Sequence, residues 1–114
     1  MRPFPVAFAM LVSIATTASA ADPAYVGTWG KDAAECAVPQ EEQGAPLKFS
    51  ADGYDQHEVH CKFGKVTAKT AKWDVDASCS AQGDTLDLQF SLAVDGNSMT
   101  MTDEFGSRKL MRCK

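Results

Sequence analysis

Histidine is almost absent from this chain. There are two among 114 residues, His57 and His60, so any histidine chemistry has to happen at one place. Tryptophan is as scarce, with only Trp29 and Trp73. The four cysteines, Cys36, Cys61, Cys79 and Cys113, contain no C-x-x-C pair, which zinc knuckles usually have. No G-x-S-x-G turn presents a serine nucleophile, and no glycine-rich loop is built to cradle phosphate. After residue 20 there is no long apolar run and no sustained 3.6-residue apolar period, so neither a membrane helix nor a long amphipathic one is expected there. A basic cluster is also missing, and the net charge is −4. That balance argues against nucleic acid and anionic membranes as partners.

What is present begins with a leader. Arg2 supplies a positive start, "FPVAFAMLVSIA" is a short apolar run, and Ala18-Ser19-Ala20 is an A-x-A cleavage site. Residues 1–20 read as a signal peptide, with cleavage after Ala21 as the near alternative. Residues 21–114 read as a single domain of the periplasm or the extracellular medium, with no membrane span after cleavage. Losing Arg2 makes that domain one unit more negative. Its charges are interspersed, as on a solvated surface.

Four cysteines in a short exported chain imply two disulfides. A domain this small buries a modest share of its surface, so covalent bridges matter to it. Each contributes about 2–4 kcal/mol, mainly by restricting the unfolded chain.

Period-2 alternation dominates the second half. "WDVDASC" sets Trp73, Val75, Ala77 and Cys79 on one face, with Asp74, Asp76 and Ser78 on the other. "LDLQFSLAV" does the same with Leu86, Leu88, Phe90, Leu92 and Val94, and "MTM" with Met99 and Met101. Turns are expected at Gln82-Gly83-Asp84, Asp95-Gly96-Asn97 and Phe105-Gly106-Ser107. In the first half "YVGTWG" is a strand, residues 31–46 a loop with a helical turn at Asp32 to Cys36, and "LKFSADGYDQHEVHC" a hairpin turning at Asp52-Gly53. "FGKVTAKTAKW" turns back near Lys69 to Lys72. The result is an all-β antiparallel meander of seven or eight strands, forming a small closed or nearly closed barrel, with a two-sheet sandwich as the alternative. With few large apolar side chains, a filled interior is expected.

Cysteine count leaves three connectivities open. Cys61 and Cys79 lie symmetrically about residue 70, where a turn is placed, and share a face with apolar neighbours. Cys36 follows the first strand and Cys113 ends the last, and in a closed meander those strands adjoin. This favours Cys61–Cys79 with Cys36–Cys113; Cys36–Cys61 with Cys79–Cys113 is the runner-up.

The segment "DGYDQHEVHC" concentrates the reactive residue types. "HEVH" resembles a zinc-protease signature but lacks a residue, since that chemistry needs histidines at i and i+4 of a helix. On one continuous strand, Asp55, His57, Val59 and Cys61 face one way and Tyr54, Gln56, Glu58 and His60 the other. The histidines are then on opposite faces and share no metal. Glu58 and His60 remain together as a possible partner-contact pair. The thiol beside His60 belongs to a disulfide on this reading and not to a nucleophile. For a glycosidase-like role Asp74/Asp76 or Glu41/Glu42 would need one carboxyl held in apolar surroundings, and the alternating strand aspartates read instead as solubility and edge-protection charges. "DGNSMTMTD" lacks calcium-loop spacing.

Gly27, Trp29, Cys36 and Cys61, behind a leader and ahead of a β-meander, resemble the small lipocalin-like barrels exported by bacteria. Among these the chain is similar to periplasmic inhibitors of secreted metalloproteases, which share an early G-x-W and a following cysteine pair. The resemblance implies a β-barrel that inserts its N-terminal segment into a protease cleft, and it implies a Cys36–Cys61 bridge. Two departures stand against it: only Ala21 to Ala24 precede Tyr25, and Cys79 and Cys113 are additional. The run "WDVDASC" through the closing "MRC" more closely resembles small exported proteins of alphaproteobacteria, which implies a compartment and no activity.

The expectation is a monomeric, non-catalytic binding or interaction protein of the cell envelope, without metal or cofactor. Its partner would be a protein, a hydrolase if the inhibitor resemblance holds. A small-ligand carrier is the further alternative.

Overall fold

The computed structural model describes Pro3 and residues 21–114. Apart from Pro3, the expected leader therefore lies outside the described residues, and so does Ala18-Ser19-Ala20 of its cleavage site. No helix among the described residues is long and apolar enough to cross a membrane.

Eight antiparallel strands form one closed barrel in simple sequence order. They are β1 (Gly27–Gly30), β2 (Leu47–Ser50), β3 (Gly53–Gln56), β4 (Val59–Lys69), β5 (Lys72–Ala81), β6 (Asp84–Asp95), β7 (Ser98–Asp103) and β8 (Gly106–Arg112). Two-residue turns join every consecutive pair from β2 to β8. The long connection between β1 and β2, residues 31–46, carries a helical turn, α1 (Ala33–Cys36). Asp32 caps it by accepting the Glu35 N–H at 2.8 Å, the usual role of aspartate at this position.

Alternation sends one residue set inward. Val75, Ala77 and Cys79 of β5 are buried, as are Phe90 and Leu92 of β6, Met99 and Met101 of β7 and Leu110 of β8. Aromatic rings fill the axis. Tyr25 lies edge-on to Phe49, Phe63 and Trp73, and Tyr54 packs on Phe49 and edge-on to Phe90. Such pairs add to the hydrophobic gain from their buried area.

Trp29 is fully buried, and its indole N–H donates to the Tyr25 carbonyl at 2.8 Å. The Arg112 guanidinium stacks over its ring at 4.3 Å and donates to the carbonyls of Val26 and Ala24. Gly27 makes room for this. Its φ is +139°, and a Cβ there would lie 2.9 Å from the Arg112 guanidinium.

The disulfides are Cys36–Cys113 and Cys61–Cys79. The Cys36–Cys61 bridge implied by the resemblance does not form. Cys61 lies directly opposite Cys79 on adjacent strands. A register shift at Gly64 then takes up one residue, so the turn falls at Thr70-Ala71.

Two local expectations change. The turn between β2 and β3 is Ala51-Asp52, and Gly53 is a buried strand residue. A Cβ at Gly53 would collide with the Cys61 carbonyl oxygen, so this glycine permits close approach of β3 to β4 rather than a special φ. The last turn is Glu104-Phe105, one residue earlier than its glycine suggests.

Candidate functional site

The reactive segment is not one strand. It turns at His57-Glu58, with His57 at φ +50°, a left-handed conformation in which histidine is enriched among non-glycine residues. Reversal there swaps the face assignment. Tyr54 points inward opposite Cys61, and Asp55 points outward opposite His60. The His60 Nδ1 lies 2.7 Å from Asp55 Oδ1. Glu58 instead sits at the turn, with its carboxylate 3.9 Å from His57 Nε2. Glu58 and His60 are both exposed at one end of the barrel but do not pair.

His57 has a local structural role. Its Nδ1 lies 3.2 Å from the Gln40 carbonyl. Gln56 donates to the Ala45 carbonyl at 3.0 Å, and Gln40 to that of Pro46 at 2.9 Å. The first two contacts tie the long loop to the β3–β4 hairpin, and the third braces the loop itself. Among the described residues no group of three or more histidine, cysteine, aspartate or glutamate side chains could hold a metal ion.

At the same end of the barrel the wall is incomplete. β6 pairs with β5 along Asp84 to Ala93, but with β7 only from Ser91 to Asp95. β7 ends at Asp103, where the chain turns back into β8. The first half of β6 therefore has no strand on its β7 side. The inward row of that half loses its cover: Leu86 is 59% exposed and Leu88 partly so, whereas Phe90 is buried. Phe105, on the neighbouring turn, is 87% exposed. A cleft of about 410 Å³ lies between them, lined by Asp87, Leu88, Gln89, Asp103, Glu104 and Phe105. A shallower groove of about 510 Å³ runs across β4, β5 and the same stretch of β6.

Tyr54 and Arg108 belong to this region. Burial pushes the Tyr54 phenol up from its ordinary value; Arg108 opposes this and Asp103 adds to it. Both charges are thus near the ring. Arg108 also points its guanidinium at Met101 Sδ, 3.4 Å away.

Sequence reading placed Leu86 in the core and gave Tyr54, Asp103, Phe105 and Arg108 no site role. The signal that could have revealed the gap is turn spacing, because the β5–β6 hairpin is longer than β7–β8. No protein-family model matches the chain, and neither do curated proteins or solved structures.

Proposed function

We propose that this chain is a non-catalytic binding protein of the bacterial periplasm or extracellular medium, and that it contacts a protein partner through the barrel end bearing the His57-Glu58, Gln82-Gly83 and Glu104-Phe105 turns. The observation that carries this reading is the exposure of Leu86 and Phe105 beside the partly buried Leu88. Contiguous apolar side chains rimmed by carboxylates are typical of a contact surface. Glu58 and His60 lie at the same end and extend that surface. Two disulfides support the oxidising compartment. They also occupy all four thiols, which supports a role in binding and not in thiol catalysis.

The test is site-specific photocrosslinking in the extracytoplasmic fraction of the host. A crosslinker at Phe105 is expected to yield a discrete protein adduct. One at Asn97, on the opposite end, is the control and is expected to yield none. No adduct from Phe105, or the same adducts from both positions, would reject the reading.

A further inference from the structure

The exposed half of β6 is an open edge, and its hydrogen-bonding direction follows from the ladder. Val94 N–H donates to the Ala71 carbonyl, on the β5 side, at 3.0 Å. Backbone groups alternate sides along an antiparallel strand. Even-numbered β6 residues therefore bond towards β5 and odd-numbered ones towards β7. The two-residue turns agree, since Ala81↔Asp84 and Asp95↔Ser98 are the closing pairs of their hairpins. Ser91, Ala93 and Asp95 find partners on β7. The N–H and C=O groups of Thr85, Asp87 and Gln89 point the same way and have no ladder partner among the described residues.

From this we infer that the Asp84–Gln89 edge of β6 accepts an extended segment of another protein as an added strand, with apolar residues alternating with lysine or arginine. The inference rests on the interaction reading above and names what that site takes. A strand laid here continues the line of β7 over the Glu104-Phe105 turn. Its inward side chains meet Leu86 and Leu88, and its outward ones lie beside Thr85, Asp87 and Gln89. Backbone bonds supply adhesion and the alternating pockets supply selectivity.

Charge selects the occupant. The rim carries Asp84, Asp87, Asp103 and Glu104, against Arg108, with Lys109 and Arg112 further along the facing β8 strand. A two-fold pairing of this edge with itself, centred on Asp87, would set two carboxylates opposite each other, which is unfavourable. Two other edges among the described residues lack a ladder partner: β4 beyond Phe63, which carries Lys65 and Lys69 and a register shift, and β8 from Gly106 to Leu110 on its β1 side, which carries Arg108 and Lys109. Pairing β6 onto either edge of a second copy is head-to-tail, and such contacts run on unless the rotation closes. A basic extended segment from a different chain avoids both difficulties.

The experiment uses the oxidised protein, isotope-labelled for amide NMR. One probe is a short capped peptide alternating valine with lysine; the control replaces lysine by glutamate. The lysine peptide is expected to shift the amides of Thr85, Asp87 and Gln89 and to slow their exchange, leaving β4 unchanged. It should bind about fivefold tighter than the glutamate peptide, and Asp87→Lys should reverse that order. Gln89→Pro removes one edge N–H without touching the β5 ladder and should weaken binding of the lysine peptide. The proposal is overturned by silent edge amides at millimolar peptide, by equal affinities of the two peptides, or by self-association that protects these amides without peptide. If Phe105 crosslinks to a partner while the edge amides stay silent, the inference fails and the interaction reading stands. If both fail, the reading itself falls.

Discussion

Replacing Cys36 and Cys113 together by serine tests what closes the barrel. The β1–β8 seam consists of two residue pairs, Trp29↔Arg112 and Gly30↔Met111, the shortest of the barrel's ladders. Cys36 follows β1 and Cys113 follows β8, so their bridge spans this seam. It joins residues 77 apart, for which loop entropy gives about 4.5 kcal/mol at 25 °C. The Cys61–Cys79 bridge joins residues 18 apart, worth about 3.2 kcal/mol by the same relation, and lies within the long β4–β5 ladder. Removing the Cys36–Cys113 bridge is expected to cost about 4 kcal/mol in urea denaturation, most of what a marginal domain holds. The loss should also be localised. Position 113 donates its amide to the Thr28 carbonyl at 2.8 Å, and hydrogen exchange should rise first there and at Met111, which pairs with Gly30 from the same side of β8. A loss below about 1 kcal/mol, or faster exchange concentrated between β4 and β5, would refute the view that this bridge latches the seam.

Gly27→Ala combines a forbidden φ with a clash against Arg112 and should cost about 1–3 kcal/mol by thermal denaturation; an unchanged melting temperature would show that the local backbone can relax. Arg112→Met removes the stack on Trp29 and the bonds to the carbonyls of Ala24 and Val26. It should cost about 2 kcal/mol, a drop of about 10 °C in Tm, with Arg112→Lys recovering only a little. Burial pushes the phenols of Tyr25 and Tyr54 above the ordinary 10.0, helped by Asp52 at Tyr25; at Tyr54 Arg108 opposes and Asp103 adds. The folded chain therefore keeps protons that the unfolded chain releases. That stabilisation is intact below pH about 10 and is lost as pH rises through the folded-state values, which phenolate absorbance and denaturant midpoints can follow together. His60→Ala removes only an exposed contact to Asp55 and should change stability by less than about 1 kcal/mol; a larger loss would show that this pair is structural.

Much of the barrel was legible because period-2 alternation survives in the second half. β5 follows it residue by residue, and the Cys61–Cys79 pairing followed from symmetry about the turn. The first half was harder to read. The His57-Glu58 turn has no glycine, asparagine or proline to announce it, so "DGYDQHEVHC" looks like one strand. A single unannounced reversal inverted every face assignment before it, placing Tyr54 outside and Asp55 inside. The Gly53 signal was genuine but misread. Glycine marks both tight turns and close backbone approach, and sequence alone does not say which.

The open edge is a different kind of omission. Alternation tells which face of Leu86 is apolar, but burial depends on whether another strand lies alongside. That is set by the relative lengths of hairpins, not by any residue within β6. β5 and β6 run past the point where β7 turns, so the same apolar row is core at Phe90 and surface at Leu86. A sequence under pressure only to fold would place a polar residue at the inward positions beyond the turn. Leu86 and Leu88 stay apolar there, and Phe105 adds a ring that nothing in the barrel covers. Apolar residues retained beyond the end of their cover, on an edge whose backbone is also unpaired, are the reason to centre the proposed recognition on this β6 edge, with the histidine hairpin at its margin.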